Sequence, residues 1–351
     1  MLVQLENNVM IGGKRVGESV LIIAEAGVNH NGSLRRALKM VDEAAKAGAD
    51  AIKFQTFVAE RVVAKQAPKA NYQKRRGRGK TQLEMLKPLE LSRQDFVAIS
   101  ERARKRGIMM LSTPYDDESV DLLESLAVPA YKVASGDLTN TPLLEHIATK
   151  GKPVILSTGM ATLEEIKAAV ATIRHQGNDK IVLLHCVSSY PSKVAECNLR
   201  VMQLLRDNFK VPVGFSDHTM GTEVALAAAA LGAVVIEKHF TLSRRLIGPD
   251  HRASLEVRQF REMVRGIRLV EEALGGPVKV PTKEELTMRL VARRSLVAAV
   301  EIPKDHVIAR EMIAIKRPGT GISPSEIQKV LGKIARRAIK RDEVLTWHMV
   351  E

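Results

Sequence analysis

The chain has 351 residues, which is long enough for one large and one small domain, or for two medium domains. Of these residues 45% are hydrophobic and only 3% aromatic, so aliphatic side chains must dominate the core. Lys and Arg number 54 against 40 Asp and Glu, a formal net charge of +14, which suits anionic small substrates as well as nucleic acid. No aromatic residues are interleaved with the basic runs to stack bases, and no apolar run is long enough to span a membrane, so we expect neither nucleic acid nor membrane as a partner.

The first 20 residues and the two cysteines indicate the cellular compartment. Residues 1–20 mix acidic and polar side chains where a signal peptide needs an unbroken apolar stretch. The two cysteines, Cys186 and Cys197, provide neither a disulfide framework nor the spacing of a metal knuckle. We therefore expect a cytoplasmic protein in a reducing environment.

Apolar, β-branched runs of strand length recur along the chain. They cover residues 21–27, 51–57, 108–114, 130–136, 153–159, 181–187, 212–218 and 234–240. Amphipathic helical patterns separate them, as over 34–49, 93–107 and 163–177, and several end in Gly. Strands that are apolar throughout indicate a parallel sheet buried on both faces, and eight such units predict a closed (β/α)8 TIM barrel rather than an open doubly wound sheet. We expect the residues before Leu21 to form a hairpin that plugs the bottom of the barrel.

The alternation of strand and helix stops near residue 276. The next stretch has two prolines and mixed charge and predicts a linker over 277–288. Shorter strand-like runs follow over 295–302, 312–322 and 333–345, which predicts a small, mostly β domain over 289–351 after a barrel domain over 1–276.

Polar residues end every predicted barrel strand. They are Glu25, Lys53, Gln55, Ser112, Thr113, Lys132, Ser135, Asp137, Ser157, Thr158, His185, Ser188, Ser216, His218, Glu237, Lys238 and His239. One polar residue at a strand exit is ordinary, but an unpaired buried polar group costs about 2–7 kcal/mol, so eight polar strand ends together indicate a site. In TIM barrels the active site lies at the carboxyl ends of the strands.

The residue types suggest the chemistry of this site. Lys53 and Lys132 among serine hydroxyls suit a phosphate or a carboxylate. His218 and His239 end neighbouring strands and suit Mn²⁺, Fe²⁺ or Zn²⁺ with open positions for water or substrate. Glu25 could act as a base, as a hydrogen-bond acceptor or as a metal partner. An anion site beside a Lewis acid suggests the joining of an anionic donor to a polarised carbonyl.

Eight collinear motifs, together with "RRSL" (293–296) and "KRPGTGI" (316–322), carry a resemblance over nearly the whole chain. They are "IAEAGVNHNGS" (23–33), "KFQTF" (53–57), "YKVASGDLTNTPLL" (131–144), "ILSTGMATLEEI" (155–166), "LLHCVSSYP" (183–191), "VGFSDHTMG" (213–221), "VIEKHFTL" (235–242) and "GPDHRASLE" (248–256). On these motifs the chain resembles the sialic acid synthases, which condense phosphoenolpyruvate with an N-acetylated mannose-type sugar to a nine-carbon 2-keto acid.

The resemblance implies a TIM barrel followed by an antifreeze-like (SAF) domain, in a homodimer that exchanges these domains. It implies a divalent metal on His218 and His239, Mn²⁺ first and Mg²⁺ or Co²⁺ as alternatives. The implied phosphoenolpyruvate site is Lys53, Thr113, Lys132, Ser135, Ser157, Ser188 and Ser216. The implied sugar or water contacts are Glu25, Gln55, Asp137, Tyr190 and Asp250, with Arg317 reaching the partner's site, and the catalytic residues are Glu25, Lys53, Lys132 and Asp137.

Two positions depart from the family pattern. Asp137 stands where many members have Glu, and Ser188 replaces an Asn seen in some members. The resemblance points to N-acetylneuraminate formation from N-acetylmannosamine. Its alternatives are a sister synthase acting on a 2,4-diacetamido-2,4,6-trideoxy sugar, giving legionaminate or pseudaminate, or on N-acetylmannosamine 6-phosphate. More distant readings are a Schiff-base aldolase that uses Lys53, Lys132 or Lys238, and a non-catalytic polyanion-binding protein.

Overall fold

The computed structural model describes residues 8–70 and 79–351. The chain forms two compact units, one up to Gly275 and the other from Gly276 to Glu351. No helix in these described ranges is long and apolar enough to cross a membrane.

The first unit is a parallel barrel preceded by a hairpin of β1 (Met10–Ile11) and β2 (Lys14–Arg15). The barrel strands are β3 (Leu21–Gly27), β4 (Ala51–Thr56), β5 (Met109–Pro114), β6 (Tyr131–Val133), β7 (Val154–Ser157), β8 (Ile181–Cys186), β9 (Val213–Asp217) and β10 (Val235–Thr241). Hydrogen-bonded neighbours run β5-β4-β3-β10-β9-β8-β7-β6, and β5 contacts β6, so the ring is nearly closed. A short strand, β11 (Leu255–Glu256), pairs in parallel with the carboxyl end of β10. The predicted TIM barrel is confirmed.

Helices connect the barrel strands, most of them on the outside of the barrel. They are α1 (Leu34–Lys46), α2 (Ala59–Val62), α3 (Gln82–Leu86), α4 (Arg93–Arg106), α5 (Asp117–Ser125), α6 (Thr141–Thr149), α7 (Leu163–His175), α8 (Val201–Phe209), α9 (Glu223–Ala230) and α10 (Val257–Leu274). Their ends follow local chemistry: a capping box of Ser92 with Asp95 begins α4, and Gly107 ends it with φ of 66° in the left-handed region.

Side-chain alternation divides the barrel interior into an apolar lower part and a polar upper part. Inward positions near the amino ends of the strands are apolar, and they are Leu21, Ile23, Ala51, Leu111, Ala130, Ile155, Val182, Leu184 and Val235. The next inward positions toward the carboxyl ends are Glu25, Lys53, Lys132, Ser157, Ser216 and Glu237. Successive strand residues face opposite sides, so every second residue of a strand points into the barrel. These inward residues are apolar in the lower part of the barrel and polar only at the upper rim.

The hairpin closes the bottom of the barrel, as the sequence predicts. Val9, Ile11 and Val16 join the apolar cluster inside the barrel. Gly12 lies so close to Met109 that an added Cβ would sit 2.2 Å from its Sδ. Gly12 also has φ of 55°, so the turn needs a residue without a side chain.

The second unit pairs β12 (Ser295–Ala298) antiparallel with β13 (Ile313–Lys316) around its own core. The third strand-like run, 333–345, forms only isolated bridges. The predicted linker over 277–288 is partly helical, since α11 spans Lys283–Ala292. A capping box between Thr282 and Glu285 starts this helix, a local signal that the proline content of the stretch obscures.

Lys238 and Asp217 form an ion pair on the outward faces of β10 and β9. Lys238 Nζ lies 2.7 Å from Asp217 Oδ2 and donates to Thr219 O at 2.7 Å. Both side chains are fully buried. The pair joins two neighbouring strands between the barrel and its helical layer.

Removing one partner of the Lys238–Asp217 ion pair should destabilise the barrel. Asp217→Ala leaves a buried ammonium without its carboxylate, so we expect the free energy of unfolding to fall by about 3–5 kcal/mol. Urea denaturation followed by far-ultraviolet circular dichroism measures the loss. The matched variant, Asp217→Leu with Lys238→Met, removes both charges and should recover most of it. A double variant as unstable as the single one would show that the buried charge is not what destabilises the barrel.

Candidate active site

A cavity of about 650 Å³ opens at the carboxyl ends of the barrel strands. Fourteen of the fifteen candidate site residues predicted from the sequence line it, all of them in the first unit. They are Glu25, Lys53, Gln55, Thr113, Lys132, Ser135, Asp137, Ser157, Ser188, Tyr190, Ser216, His218, His239 and Asp250. The closed ring thus brings together residues more than 200 positions apart in the chain.

Four buried charges of alternating sign form the floor of the cavity. Lys53 Nζ lies 2.8 Å from Glu25 Oε2 and 3.8 Å from Glu237 Oε2. Lys132 Nζ lies 3.8 Å from Glu237 Oε1 on the other side. Each lysine also donates to a hydroxyl, Lys53 to Thr113 at 3.1 Å and Lys132 to Ser157 at 2.7 Å. We call this group the charge quartet: Glu25, Lys53, Glu237 and Lys132.

The two carboxyl groups of the charge quartet differ in their affinity for a proton. Burial raises the pKa of Glu25 to about 7, although Lys53 opposes the shift. Burial also acts to raise the pKa of Glu237, but Lys132 and Lys53 outweigh it and lower the pKa to about 2. Glu237 therefore stays ionised, while Glu25 can exchange a proton near neutral pH. When Glu25 is protonated, two lysines and one carboxylate leave the quartet with one net positive charge, which favours an anion.

A small pocket in the cavity is formed where the side chains of Ser135, Ser188 and Cys186 converge on the backbone of Gly159. The Gly159 amide donates to Ser135 Oγ at 3.0 Å, and Ser135 Oγ lies 3.2 Å from Cys186 Sγ. A Cβ added to Gly159 would lie 2.3 Å from Ser188 Oγ and 2.9 Å from Ser135 Oγ. Only glycine lets these groups converge on the backbone. The pocket thus offers hydroxyl groups as hydrogen-bond donors close to the buried ammonium group of Lys132. We call it the Gly159 pocket.

His218 and His239 lie side by side at the rim. Their ring centroids are 5.6 Å apart, and Tyr190 packs on His218 at 4.3 Å. His218 Nδ1 lies 2.7 Å from Val187 O, to which it donates, so its Nε2 carries a lone pair; the nearest hydroxyl to Nε2, Ser216 Oγ at 3.4 Å, donates to Glu237. His239 Nδ1 is buried and has no hydrogen-bond partner among the described residues. Burial lowers the pKa of both imidazoles, so both are neutral.

This pair fits a metal ion. Metal–nitrogen bonds of about 2.1 Å allow two imidazoles on one ion to have centroids up to roughly 6 Å apart. Neutral rings with unused nitrogen lone pairs are what such an ion requires. No group of three or more His, Cys, Asp or Glu in the described ranges is arranged to hold a metal, so water or substrate would have to complete the coordination.

Two further carboxylates face the cavity above the quartet. Asp137 ends a 3₁₀ turn over Ser135–Asp137, which stops β6 at Val133, earlier than the predicted strand end. Asn140 Nδ2 donates to Asp137 Oδ1 at 3.3 Å, and burial raises the pKa of Asp137. Burial alone raises the pKa of Asp250 to about 6.

One wall of the cavity is apolar, and sequence reasoning missed it. We call it the apolar wall, and it consists of Phe57, Val62, Val63, Met85 and Leu86. It comes from α2, α3 and the strand end before them, and it packs on a small cluster with Val28, Ala59 and Leu89. These short elements show no extended periodicity in the sequence that predicts where their side chains point.

Other predicted strand-end residues turn away from the cavity. Ser112 bonds Thr56 at 2.7 Å, Thr158 donates to Leu184 O, and His185 bonds Cys197 O. Lys238 faces outward in its ion pair with Asp217, so it is not available as the nucleophile of an aldolase. The alternation of side chains along a strand already predicts that Lys238 faces outward, because its neighbours Glu237 and His239 face inward. The same rule predicts that Cys186 faces into the barrel.

Arg317 belongs to the second unit. It is exposed and directly follows β13. Ser295 Oγ donates to Pro318 O at 2.7 Å, and the Gly319 amide donates to Leu290 O at 2.8 Å, which hold the turn that follows Arg317. Its predicted role in a partner's site stays a prediction.

A closed barrel with ionisable side chains converging at the carboxyl ends of its strands defines a TIM-barrel enzyme, here with a SAF domain after it, which matches residues 293–351. Residues 40–279 match the NeuB family, and the chain belongs to that family.

Relatives with known roles cover nearly the full chain. The N,N'-diacetyllegionaminic acid synthase of Legionella pneumophila is 45% identical over 352 residues, 98% of this chain and 99% of its own length. The enzyme of the same name from Campylobacter jejuni is 45% identical over 331 residues, 93% of this chain and 99% of its own. The crystal structure of an N-acetylneuraminic acid synthetase from Leptospira borgpetersenii, with citrate, superposes with a TM-score of 0.71 at 37% identity, covering 80% of this chain and 95% of that one.

Filling the Gly159 pocket should weaken anion binding. Gly159→Ala places a methyl group against Ser188 and Ser135, so we expect the affinity for inorganic phosphate to fall by about tenfold or more. Isothermal titration calorimetry measures it. Gly136→Ala is the matched control, because Gly136 lines the same cavity and a Cβ there meets nothing within 4 Å. Equal phosphate affinity in both variants would place the anion elsewhere.

Proposed function

We propose that this enzyme condenses phosphoenolpyruvate with 2,4-diacetamido-2,4,6-trideoxymannose in its open-chain form, giving N,N'-diacetyllegionaminate and phosphate. The observation that carries the proposal is the 45% identity to two synthases of this product over almost the whole chain. The sialic acid synthetase of known structure is less similar, at 37% identity. The comparisons thus favour the trideoxy sugar over N-acetylmannosamine, which the sequence motifs first suggest.

The charge quartet and the Gly159 pocket support phosphoenolpyruvate as the donor. Its carboxylate and phosphate need cations and short hydrogen-bond donors, and Lys53, Lys132 and the Gly159 pocket provide both in one buried place. Glu237 holds both ammonium groups in position from between them. Such preorganised charges, which need no rearrangement during the reaction, are worth several kcal/mol of transition-state stabilisation.

The histidine pair supports a divalent metal, which we propose is Mn²⁺ held by His218 and His239. When bound, the ion supplies a Lewis acid for the aldehyde oxygen of the acceptor sugar. Tyr190, stacked against His218 at 4.3 Å and 5.6 Å from His239, limits how the rings can turn.

The reaction balances with one water and without an external acid or base. Carbon 3 of phosphoenolpyruvate bonds to the aldehyde carbon, and water adds to carbon 2. The C–O bond to phosphate then breaks, and the hydroxyl group on carbon 2 passes its proton to the leaving phosphate as the ketone forms. In this proposal, Glu25 gives a proton to the new hydroxyl group and recovers one from the attacking water. Its pKa of about 7 suits both steps, and Lys53 keeps Oε2 in place at 2.8 Å.

The apolar wall supports a deoxy acceptor. A 6-methyl group and the acetamido methyl groups can lie against Phe57, Val62 or Leu86 without loss of hydrogen bonds. A 6-phosphate placed there would have to give up its hydration. An apolar surface rejects an added hydroxyl group less strongly, by roughly a hundredfold.

Phosphate release from phosphoenolpyruvate tests the proposal. With Mn²⁺, we expect the trideoxy sugar to have the highest kcat/KM, N-acetylmannosamine to be about tenfold to a hundredfold lower, and its 6-phosphate to give no measurable release. A chelator should abolish the activity and Mn²⁺ should restore it. A higher kcat/KM for either other sugar would overturn the choice of acceptor.

The buried Lys132 gives the aldolase alternative its one supporting observation. Burial, with the Lys53 charge adding to it, lowers the pKa of Lys132, as Schiff-base lysines require. Borohydride added during turnover therefore serves as the control in the same assay. A covalent lysine adduct would favour the aldolase, whereas the synthase forms none.

We also propose a homodimer in which Arg317 of one chain completes the sugar site of the other. Support comes from the resemblance and from exposed apolar residues between 278 and 291, which are Val278, Val280, Leu286, Met288, Leu290 and Val291.

Mixing two inactive variants tests the exchange. Arg317→Ala and Lys53→Ala should each lose most activity as homodimers. If the chains exchange domains, co-refolded mixed dimers contain one intact site, so about a quarter of wild-type activity should return. A mixture that stays inactive would place Arg317 in the site of its own chain or in none. Lys53→Ala mixed with Lys132→Ala is the control, because both changes lie in the same barrel and each mixed dimer has two defective sites.

A further inference from the structure

The loop over 242–254, which we call the Asp250 loop, is a closed excursion from the barrel rim. It leaves at the end of β10 and returns at β11, where Phe240 pairs with Leu255 and Thr241 with Glu256. Glu256 also accepts from the Arg244 amide at 2.8 Å. Asp250 is buried near the end of this loop and lines the cavity.

One chain of hydrogen bonds fixes the backbone of Asp250. Ser254 Oγ donates to Asp250 O at 2.7 Å. Asn29, in the loop that follows β3, donates from Nδ2 to Ser254 Oγ and to Phe240 O, both at 2.9 Å. A residue just after the first barrel strand thus holds a loop that begins more than 200 residues later in the chain.

A second chain holds the residue that follows Asp250. The imidazole of His251 is fully buried; its Nδ1 lies 2.7 Å from Thr241 Oγ1 and its Nε2 lies 3.1 Å from Asn31 Oδ1. Asn31 Nδ2 donates to Ile247 O at 2.8 Å, which turns Oδ1 toward His251, so Nε2 carries a proton. This contact between His251 and Asn31 requires glycine at position 248, because an added Cβ would lie 2.7 Å from His251 Cδ2 and 2.8 Å from Asn31 Oδ1.

The carboxylate of Asp250 stands apart from both chains. Among the described residues no donor bonds its oxygens, and the hydrogen bonds that reach Asp250 end on its carbonyl. The backbone is therefore fastened on two sides while the side chain is left to a ligand in the cavity. A carboxylate held this way meets sugar hydroxyl groups with little ordering still to be lost.

We propose that Asn31 and His251, with Asn29 and Ser254, are positioning residues for sugar recognition: they tie the Asp250 loop to the loop after β3 and thereby aim Asp250 at the acceptor. The proposal rests on the proposed function and on the sugar contact of Asp250 that the family resemblance implies. None of these four side chains lines the cavity, so any effect they have on the sugar passes through the Asp250 loop.

Asn31→Ala tests the proposal by steady-state kinetics. We expect the KM for the acceptor sugar to rise about tenfold, with the KM for phosphoenolpyruvate within about twofold of wild type, because only the sugar contact is misplaced. In an Asp250→Asn background the same change should add less than about twofold, since the carboxylate it aims is gone. Asn178→Ala is the matched control: its Nδ2 also donates to a backbone carbonyl, Lys152 O, at 2.8 Å, but it precedes β8 at the amino end of the barrel.

Hydrogen exchange provides a readout that needs no substrate. Amides over 242–254 should exchange faster in Asn31→Ala and Ser254→Ala than in wild type or Asn178→Ala. An unchanged acceptor KM in Asn31→Ala, an undiminished effect in the Asp250→Asn background, or unchanged exchange over 242–254 would each overturn the proposal. If the wild type turns over no acceptor, the proposed function fails by itself, and the exchange data then decide whether these side chains fasten the loop.

Discussion

The structure depends on four buried charges that are tolerable only together. Lys53 and Lys132 are 3% exposed, and so deep an ammonium group is strongly unfavourable without a carboxylate close by. Glu25 and Glu237 alternate with them. Glu25 lies beside Lys53 on adjacent strands, and β10 pairs with β3, from where Glu237 reaches Lys53 at 3.8 Å. Opening the ring at β10 would leave lysines and carboxylates unmatched.

The balance of these charges also links the fold to its chemistry. Glu237 is held ionised by two ammonium groups, whereas Glu25 shares one lysine and is left near the point of taking up a proton. The quartet can therefore change its net charge by one without any change in the backbone. A site that receives a multiply charged donor and then releases phosphate needs this kind of adjustment.

Around the quartet, the barrel separates tasks by direction. Inward positions provide the charged floor and the hydroxyl groups, and the histidine pair ends two adjacent strands. Loops above the rim provide the walls: the apolar one comes from the segment after β4, and the Asp250 loop provides a carboxylate. Rigid strands thus fix the charged groups and the histidines, while the loops, which tolerate substitution, form the walls of the cavity.

The sequence by itself determined the barrel, the inward histidines and lysines, and the family. Strand runs, helix caps and alternation act over a few residues, and a resemblance needs only the order of motifs. Only the tertiary structure decided that Glu237 completes the charge quartet, that the outward Lys238 pairs with Asp217, and that an apolar wall faces the cavity. These features arise from contacts between distant elements, for which local sequence carries no signal. The helix over Lys283–Ala292 is the opposite case, since its capping box was readable in a stretch whose prolines predicted a linker.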